Sequence, residues 1–300
     1  MKILLLGKNG QVGWALQRSL AALGSCQAFG RDQADLTQPN QLRQLIRQLQ
    51  PTVIVNAAAY TAVDQAETAT DLAYQINTAA VEVLALEAKA LNAWLVSYST
   101  DYVFDGTQAG AYDETDVANP LNVYGDSKWQ GEEAIRASGC QHLLVRTSWV
   151  YGLYGDNFAK TILRLAQQRQ QLSVIDDQIG TPTSADCIAD VTALMLYRIH
   201  HDNTFAQQAS GTYHLTAAGQ TSWYHYAQFV LQQALAQGQT LQLISAQLQP
   251  IATSGYPLPA QRPANSCLNS DKLKRFFGIE LPHWQHHLIR LIRTLLQPGH

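Results

Sequence analysis

The chain has 300 residues, 46% of them hydrophobic, enough to bury the core of one large domain or two moderate ones. Its formal charge of -3 provides no broad basic surface for nucleic acid or an anionic membrane. No stretch approaches the apolar length of a membrane span, and the opening run from Met1 to Gly7 is too short for a signal peptide, so a cytoplasmic protein is expected.

From Lys2 to Leu6 runs a short apolar segment ending in Gly7, and Lys8 to Gly13 leads into a helical pattern that continues to Leu23. This is strand, tight turn, helix. Gly7, Gly10 and Gly13 form a G-x-x-G-x-x-G spacing, a variant of the dinucleotide fingerprint. The first glycine permits the turn, the second lets backbone approach a pyrophosphate resting on the helix N-terminus, and the third lets helix and strand pack closely. Further alternation follows, with strands at Cys26 to Phe29, Val53 to Asn56, Ala93 to Ser99 and His142 to Thr147. Between them lie helices at Gln41 to Leu49, Asp71 to Leu91 and Leu121 to Ala137. The pattern predicts an α/β fold, a Rossmann-like doubly wound parallel sheet, with a dinucleotide-binding domain over 1–150. Beyond Tyr151 the pattern loosens and prolines accumulate, so 151–300 is expected to form mainly a smaller, mixed α/β substrate lobe, with some segments returning to the first domain.

Charged residues make up only 14% of the chain, against a usual ~25%, and glutamine replaces many of them on the helix faces. Cys26, Cys140, Cys187 and Cys267 show neither metal-ligand spacing nor a paired framework, so reduced thiols are expected. The pairs His200-His201 and His286-His287 lack the helical offset with an acid that suggests zinc, which leaves surface placement.

Tyr124 and Lys128 carry the chemistry. Four apart on a helix, they lie on one face, where the ammonium can sit near the phenol. Bringing a free tyrosine from ~10 toward neutrality takes about 4 kcal/mol. One partly buried cation at ~4 Å supplies on that order at an effective dielectric of ~20. Alone, Tyr-x-x-x-Lys also fits a helix with a packed tyrosine and a solvated lysine; the nucleotide-binding turn upstream favours hydride chemistry.

Four further segments occur in one order: Asn56 to Asp64, Ser99 to Phe104, Asn122 to Lys128 and Arg146 to Tyr151, joined later by Asn157 to Thr161 and Arg262 to Ser266. With these the chain resembles, nearly end to end, the extended short-chain dehydrogenase/reductase family, and within it the sugar-nucleotide 4-ketoreductases. The resemblance implies that NAD(P)H reduces a ketone at C4 of the sugar, with Thr100 holding the carbonyl oxygen and Tyr124 protonating the alkoxide. Lys128 would contact both the phenol and the nicotinamide ribose. It further implies a cofactor site of Gly7, Gly10, Gln11, Val12, Gly13, Arg31, Asp35, Leu36, Ala57, Ala59, Tyr60, Thr61, Tyr98, Tyr124 and Lys128. A substrate site follows in the same way: Val63, Thr100, Asp101, Tyr102, Phe104, Trp149, Asn157 and Arg262. An indole face at Trp149 suits a planar thymine or a sugar ring, although a packed core tryptophan fits the sequence as well.

Related dehydratases follow the threonine with Asp-Glu; here Tyr102 replaces the glutamate, and a phenol is a poor base at neutral pH. Some relatives are associated with Mg2+ and a dimer built around acidic side chains, including a glutamate just after the first-helix tryptophan. Here Trp14 is followed by Ala15, and although Asp186 and Asp190 remain, a hard cation wants several oxygen ligands, so a metal-bridged dimer is not expected. Monomer and homodimer both stay open. At the end of the second strand stand Phe29-Gly30-Arg31, where an acid would favour NADH; Arg31 can pair with a 2′-phosphate, so NADPH is expected to be preferred, with NADH still usable. Two rival readings are a non-catalytic, NADP-binding regulatory subunit and an epimerase that keeps its cofactor.

Overall fold

The structure is a computed structural model that describes residues 1–243 and 247–297. Its first half alternates β1 (Lys2–Leu6), α1 (Gln11–Ala21), β2 (Ser25–Phe29), α2 (Pro39–Leu49) and β3 (Val53–Asn56). There follow α3 (Val63–Ala66), α4 (Thr70–Tyr74), α5 (Ala80–Leu91), β4 (Trp94–Thr100), α6 (Val123–Ser138) and β5 (His142–Thr147). The second half comprises β6 (Val150–Tyr151), α7 (Phe158–Gln168), β7 (Leu172–Ile175), β8 (Ile179–Gly180), β9 (Thr183–Ser184), α8 (Ala185–His201), α9 (Asn203–Ala209) and β10 (Gly211–His214). It closes with β11 (Thr221–Ser222), α10 (Trp223–Ala236), β12 (Leu248–Ile251), α11 (Asp271–Phe277) and α12 (Trp284–Leu295).

The main sheet has the parallel order β2-β1-β3-β4-β5-β10. Alternation in β1 sends Ile3 and Leu5 into one core with α1 and α8, and Leu4 and Leu6 into another with α2 and α5. Both faces are therefore covered by helices, as a parallel sheet requires. The carboxyl ends of β1, β3, β4 and β5 bring Gly7, Ala57, Thr100 and Ser148 to one edge, where ligands bind in open α/β sheets. A third core, with Ile162, Tyr226, Val230, Trp284 and Leu288, joins α7, α10 and α12. The sheet takes its last strand, β10, from beyond residue 150, and α8 packs there against α1. No described helix is long and apolar enough to cross a membrane.

One predicted helix is interrupted. Between α4 and α5, Gln75–Ala79 widens into a π turn, which turns Asn77 inward. Its buried amide receives the Tyr60 N–H at 2.9 Å and donates to the Tyr60 carbonyl at 3.1 Å and to Ser127 Oγ at 3.0 Å. A locally wider turn thus ties the loop after β3 to α6, and π turns recur at functional sites for this kind of reason.

Candidate active site

A cleft of about 930 Å³ opens along the carboxyl edge of the sheet. At one end lies the glycine turn. Gly7 has φ +84°, and a Cβ there would come within 2.6 Å of Ala58 N. A Cβ on Gly13 would meet Gly7 O at 1.9 Å, so only glycine lets α1 pack this closely on the turn. Gly10, by contrast, has room and faces the cleft. It caps α1 without a side-chain acceptor, and the first turn holds no acid, so its N–H groups remain free for an anion. This cradle fits the pyrophosphate of a dinucleotide.

Gln11, Val12, Arg31, Asp35, Leu36, Ala57, Ala59, Tyr60 and Thr61 line the same cleft, as do Tyr98, Tyr124 and Lys128. Arg31 is 76% exposed and stands 3.9 Å from Asp35, a separation at which an exposed pair contributes little. It therefore remains available to a ligand. Asp35 Oδ1 accepts the Thr37 N–H at 2.9 Å, which holds its carboxyl below the usual range.

The reactive end is assembled by α6. Asn122 caps that helix through the Gly125 N–H at 2.8 Å and also donates to Gln261 O at 2.7 Å. A Cβ on Gly125 would strike Tyr102 O at 2.2 Å, so this glycine lets the start of α6 settle against the turn after β4. Tyr124 thereby shares the cleft wall with Thr100, whose hydroxyl favours the phenolate form. Thr100 Oγ1 also donates to Asp101 Oδ1 at 3.0 Å and accepts the Tyr102 N–H at 3.2 Å. The Tyr102 ring meets Tyr124 edge to face at 5.8 Å.

The electrostatics correct one expectation. Lys128 is buried and donates to Tyr98 O at 2.5 Å, and burial lowers its ammonium to about 8, partly offset by Glu132. Burial pushes the Tyr124 phenol up to about 12, with Thr100 lowering and Asp101 raising it. The phenol is not drawn toward neutrality, because burial disfavours its anion and the neighbours acting on it are Thr100 and Asp101. Asp101 is raised by burial to about 6, with Ser266 and Thr100 pulling it back.

Val63, Thr100, Asp101, Tyr102 and Trp149 line the cleft, but three other residues expected at the substrate site do not. Phe104 is held in a packed cluster, stacked on Tyr112 at 4.2 Å with the Arg146 guanidinium 5.0 Å from its ring. Asn157 caps α7 and donates to Gln11 Oε1 at 3.2 Å and Gly152 O at 2.8 Å, which braces the cofactor end from behind. Arg262 forms a two-pronged pair with Asp64, both bonds 2.7 Å, immediately beyond Val63. Gly13 also stands behind the lining, in its packing role.

Trp149 has φ +46°, a conformation that costs a non-glycine residue about 1–3 kcal/mol, and its indole stacks at 3.5 Å on Trp223. A Cβ on Gly180 would meet that indole at 2.5 Å. Trp223, Asn9, Ser148 and Asp156 line the cleft without having been marked by any motif, and only Asn9 and Ser148 lie within segments that were. The four cysteines are free thiols, and among the described residues no group of three or more His, Cys, Asp or Glu side chains is placed to hold a metal ion. Asp190 accepts from Arg18 at 2.7 Å and from Ser19 at 2.6 Å, and Asp186 stands 3.9 Å from Arg18.

Residues 1–297 match the family model described as the RmlD substrate binding domain. A dTDP-4-dehydrorhamnose reductase of Burkholderia thailandensis is 47% identical over 296 residues, covering 99% of each chain. The reductase of that name from Salmonella typhimurium is 47% identical over 299 residues, covering 98% of each. Among solved structures, a dTDP-4-dehydrorhamnose reductase of Bacillus anthracis in complex with NADP superposes with a TM-score of 0.86 at 34% identity, covering 98% of this chain and 100% of that one. A Clostridium acetobutylicum ortholog gives a TM-score of 0.89 at 34% identity, covering 99% and 100%.

Proposed function

The chain belongs to the RmlD family of dTDP-4-dehydrorhamnose reductases, and from that premise we propose that it reduces the 4-keto group of dTDP-4-dehydro-L-rhamnose with NADPH to give dTDP-L-rhamnose. The observation that carries this reading is the convergence of Thr100, Tyr124 and Lys128 on the cleft that begins at the glycine turn. When bound, the nicotinamide supplies the hydride for C4. Thr100 orients the carbonyl oxygen, and Tyr124, neutral across the physiological range, gives its proton to the oxygen as charge develops there. Lys128, fixed on the Tyr98 carbonyl, places a positive charge beside the nascent phenolate and offers further N–H groups to a ribose. Absence of a carboxylate at Tyr102 removes the base that a dehydration would use.

An assay of NADPH consumption with the 4-keto sugar nucleotide, with the product sugar identified, tests the reading. Cofactor that co-purifies without net consumption would point to an epimerase, and binding without turnover to a regulatory subunit.

Two substitutions probe the ends of the cleft. Arg31→Ala is expected to lower kcat/KM with NADPH by roughly tenfold while sparing NADH, since an exposed guanidinium can pair with a 2′-phosphate worth about 1.4 kcal/mol at that ratio. Equal loss with both cofactors would return Arg31 to an ordinary surface charge. Trp149→Ala is expected to raise the substrate KM by one to two orders, as base-to-aromatic stacking is worth about 1–3 kcal/mol, with NADPH affinity spared. Because Trp149 also stacks on Trp223, some loss of melting temperature accompanies it; unfolding at ordinary temperature would make packing its main role.

A further inference from the structure

Each ketone reduced to an alcohol takes up one proton, and the Tyr124 phenol carries only one, so every cycle must end by reloading it. The reading above leaves a second acid beside the phenol without a proton-handling part. Asp101 is 4% exposed; its Oδ1 accepts the Thr100 hydroxyl at 3.0 Å and the Ser266 hydroxyl also favours its anion, yet its buried Oδ2 forms no hydrogen bond of normal geometry among the described residues. A buried carboxyl oxygen left this way is costly unless it is protonated or served by something outside the fold. Thr100 links the two acids: its hydroxyl bonds Asp101 at 3.0 Å, lines the same cleft as the Tyr124 phenol and favours that phenol's anion. A hydroxyl can accept on one side and donate on the other.

We propose that Asp101 is the proton reservoir of this site and reloads Tyr124 through the Thr100 hydroxyl. The inference rests on the reductase reading. After Tyr124 has protonated the C4 oxygen, the Thr100 O–H bond breaks and its proton passes to the phenolate. Thr100 Oγ1 then takes the proton of the Asp101 carboxyl. The result is a neutral phenol, a neutral hydroxyl and a carboxylate; one positive charge has moved along the chain and no electrons have changed owner. That end state has the polarity seen in the structure, with Thr100 donating to Asp101. The carboxylate is recharged from solvent through the cleft it lines.

The neighbours favour this order. Burial holds Asp101 at about 6 and Tyr124 at about 12, so transfer from carboxyl to phenolate runs downhill, while a fraction of Asp101 is still protonated near neutrality. Tyr102 and Cys267, the other titratable groups at Asp101, are both raised by burial and do not compete as acids. Lys128, held on Tyr98 O, is left in place by a change at Asp101, so Asp101→Asn separates the two.

The test is Asp101→Asn, which keeps an oxygen to accept the Thr100 hydroxyl but has no acidic proton. Rapid-mixing kinetics at saturating NADPH and keto-sugar nucleotide separate this variant's first turnover from its later ones, each turnover being compared with the variant's own first. Later turnovers should be slower by about tenfold or more, with the rate recovering as formate is added at constant pH. A structural fault would slow the first turnover equally and ignore formate, and either that pattern or unchanged steady-state turnover overturns the relay. Should Asp101→Asn not fold, Asp101→Ser, which also keeps an acceptor and no acid, is read by the same criteria. Wild-type enzyme in the same instrument reports on the parent reading separately: failure to oxidise NADPH there removes the reductase assignment and the relay with it.

Discussion

Replacement of Tyr124 by phenylalanine is expected to lower kcat by roughly two to four orders of magnitude, the range typical of losing a positioned general acid. The fold around it should hold. Asn122 still caps α6 through the Gly125 N–H, Gly125 still rests against the Tyr102 carbonyl, and the edge-to-face contact with Tyr102 needs only the ring. NADPH affinity should stay within about a factor of two, because the glycine cradle and Lys128 are untouched; a twofold change is less than ~0.5 kcal/mol. Stopped-flow turnover and cofactor titration measure the two quantities independently. Near-normal turnover would move the proton donor elsewhere, with Thr100 the adjacent hydroxyl.

The same site shows where a sequence carries structural information and where it does not. Strands β1 and β3 appear at the expected residues, because a parallel sheet covered on both faces favours short apolar runs such as Ile3-Leu4-Leu5-Leu6 and Val53-Ile54-Val55, and β5 does so on Leu143-Leu144-Val145 despite the buried Arg146 that follows. Gly7, Gly10 and Gly13 are legible for a related reason: steric exclusion acts at fixed spacing along the chain. Trp223 was not, since its place in the cleft depends on α10 packing against Trp149, a contact between residues far apart in sequence. Strand β10 was not singled out either: a segment returning to the first domain was expected, but the four residues Gly-Thr-Tyr-His carry no strand pattern of their own until β5 supplies a partner. Phe104 sits inside a matching segment, yet its ring is claimed by Tyr112 and Arg146. The tuning of Tyr124 failed for a different reason, because spacing on a helix gives the direction of a neighbour but not how much water the group has lost.

Glu132 stands one turn beyond Lys128 on α6, and its replacement by glutamine is expected to be among the most destabilising single changes in the chain. The carboxylate is 2% exposed and accepts from Arg146 Nε at 2.9 Å and from a second Arg146 nitrogen at 2.7 Å, with Arg136 adding a bond at 2.6 Å. Burial pushes the Glu132 carboxyl up, but the Arg146 bonds and charge pull it below its ordinary value. For an acid depressed in the folded state, the contribution is complete at neutral pH and is lost as pH falls through the folded value. Glu132→Gln removes it at every pH and leaves Arg146, itself 1% exposed, as a buried charge without its counterion; breaking such a pair typically costs about 3–5 kcal/mol. Replacing both partners, as in Glu132→Gln with Arg146→Met, should recover most of that, because the penalty lies in the stranded guanidinium rather than in the lost bonds. Urea unfolding of the two single variants and the double variant measures the coupling, and a loss below about 1 kcal/mol for Glu132→Gln would show that water reaches Arg146. A functional effect should accompany the stability loss. Glu132 is what raises the Lys128 ammonium against its desolvation, so without it Lys128 loses its proton below its present value of about 8. Since kcat/KM follows the charged lysine of the free enzyme, its alkaline limb should shift to lower pH in folded Glu132→Gln, whereas a change confined to stability would leave the limb in place.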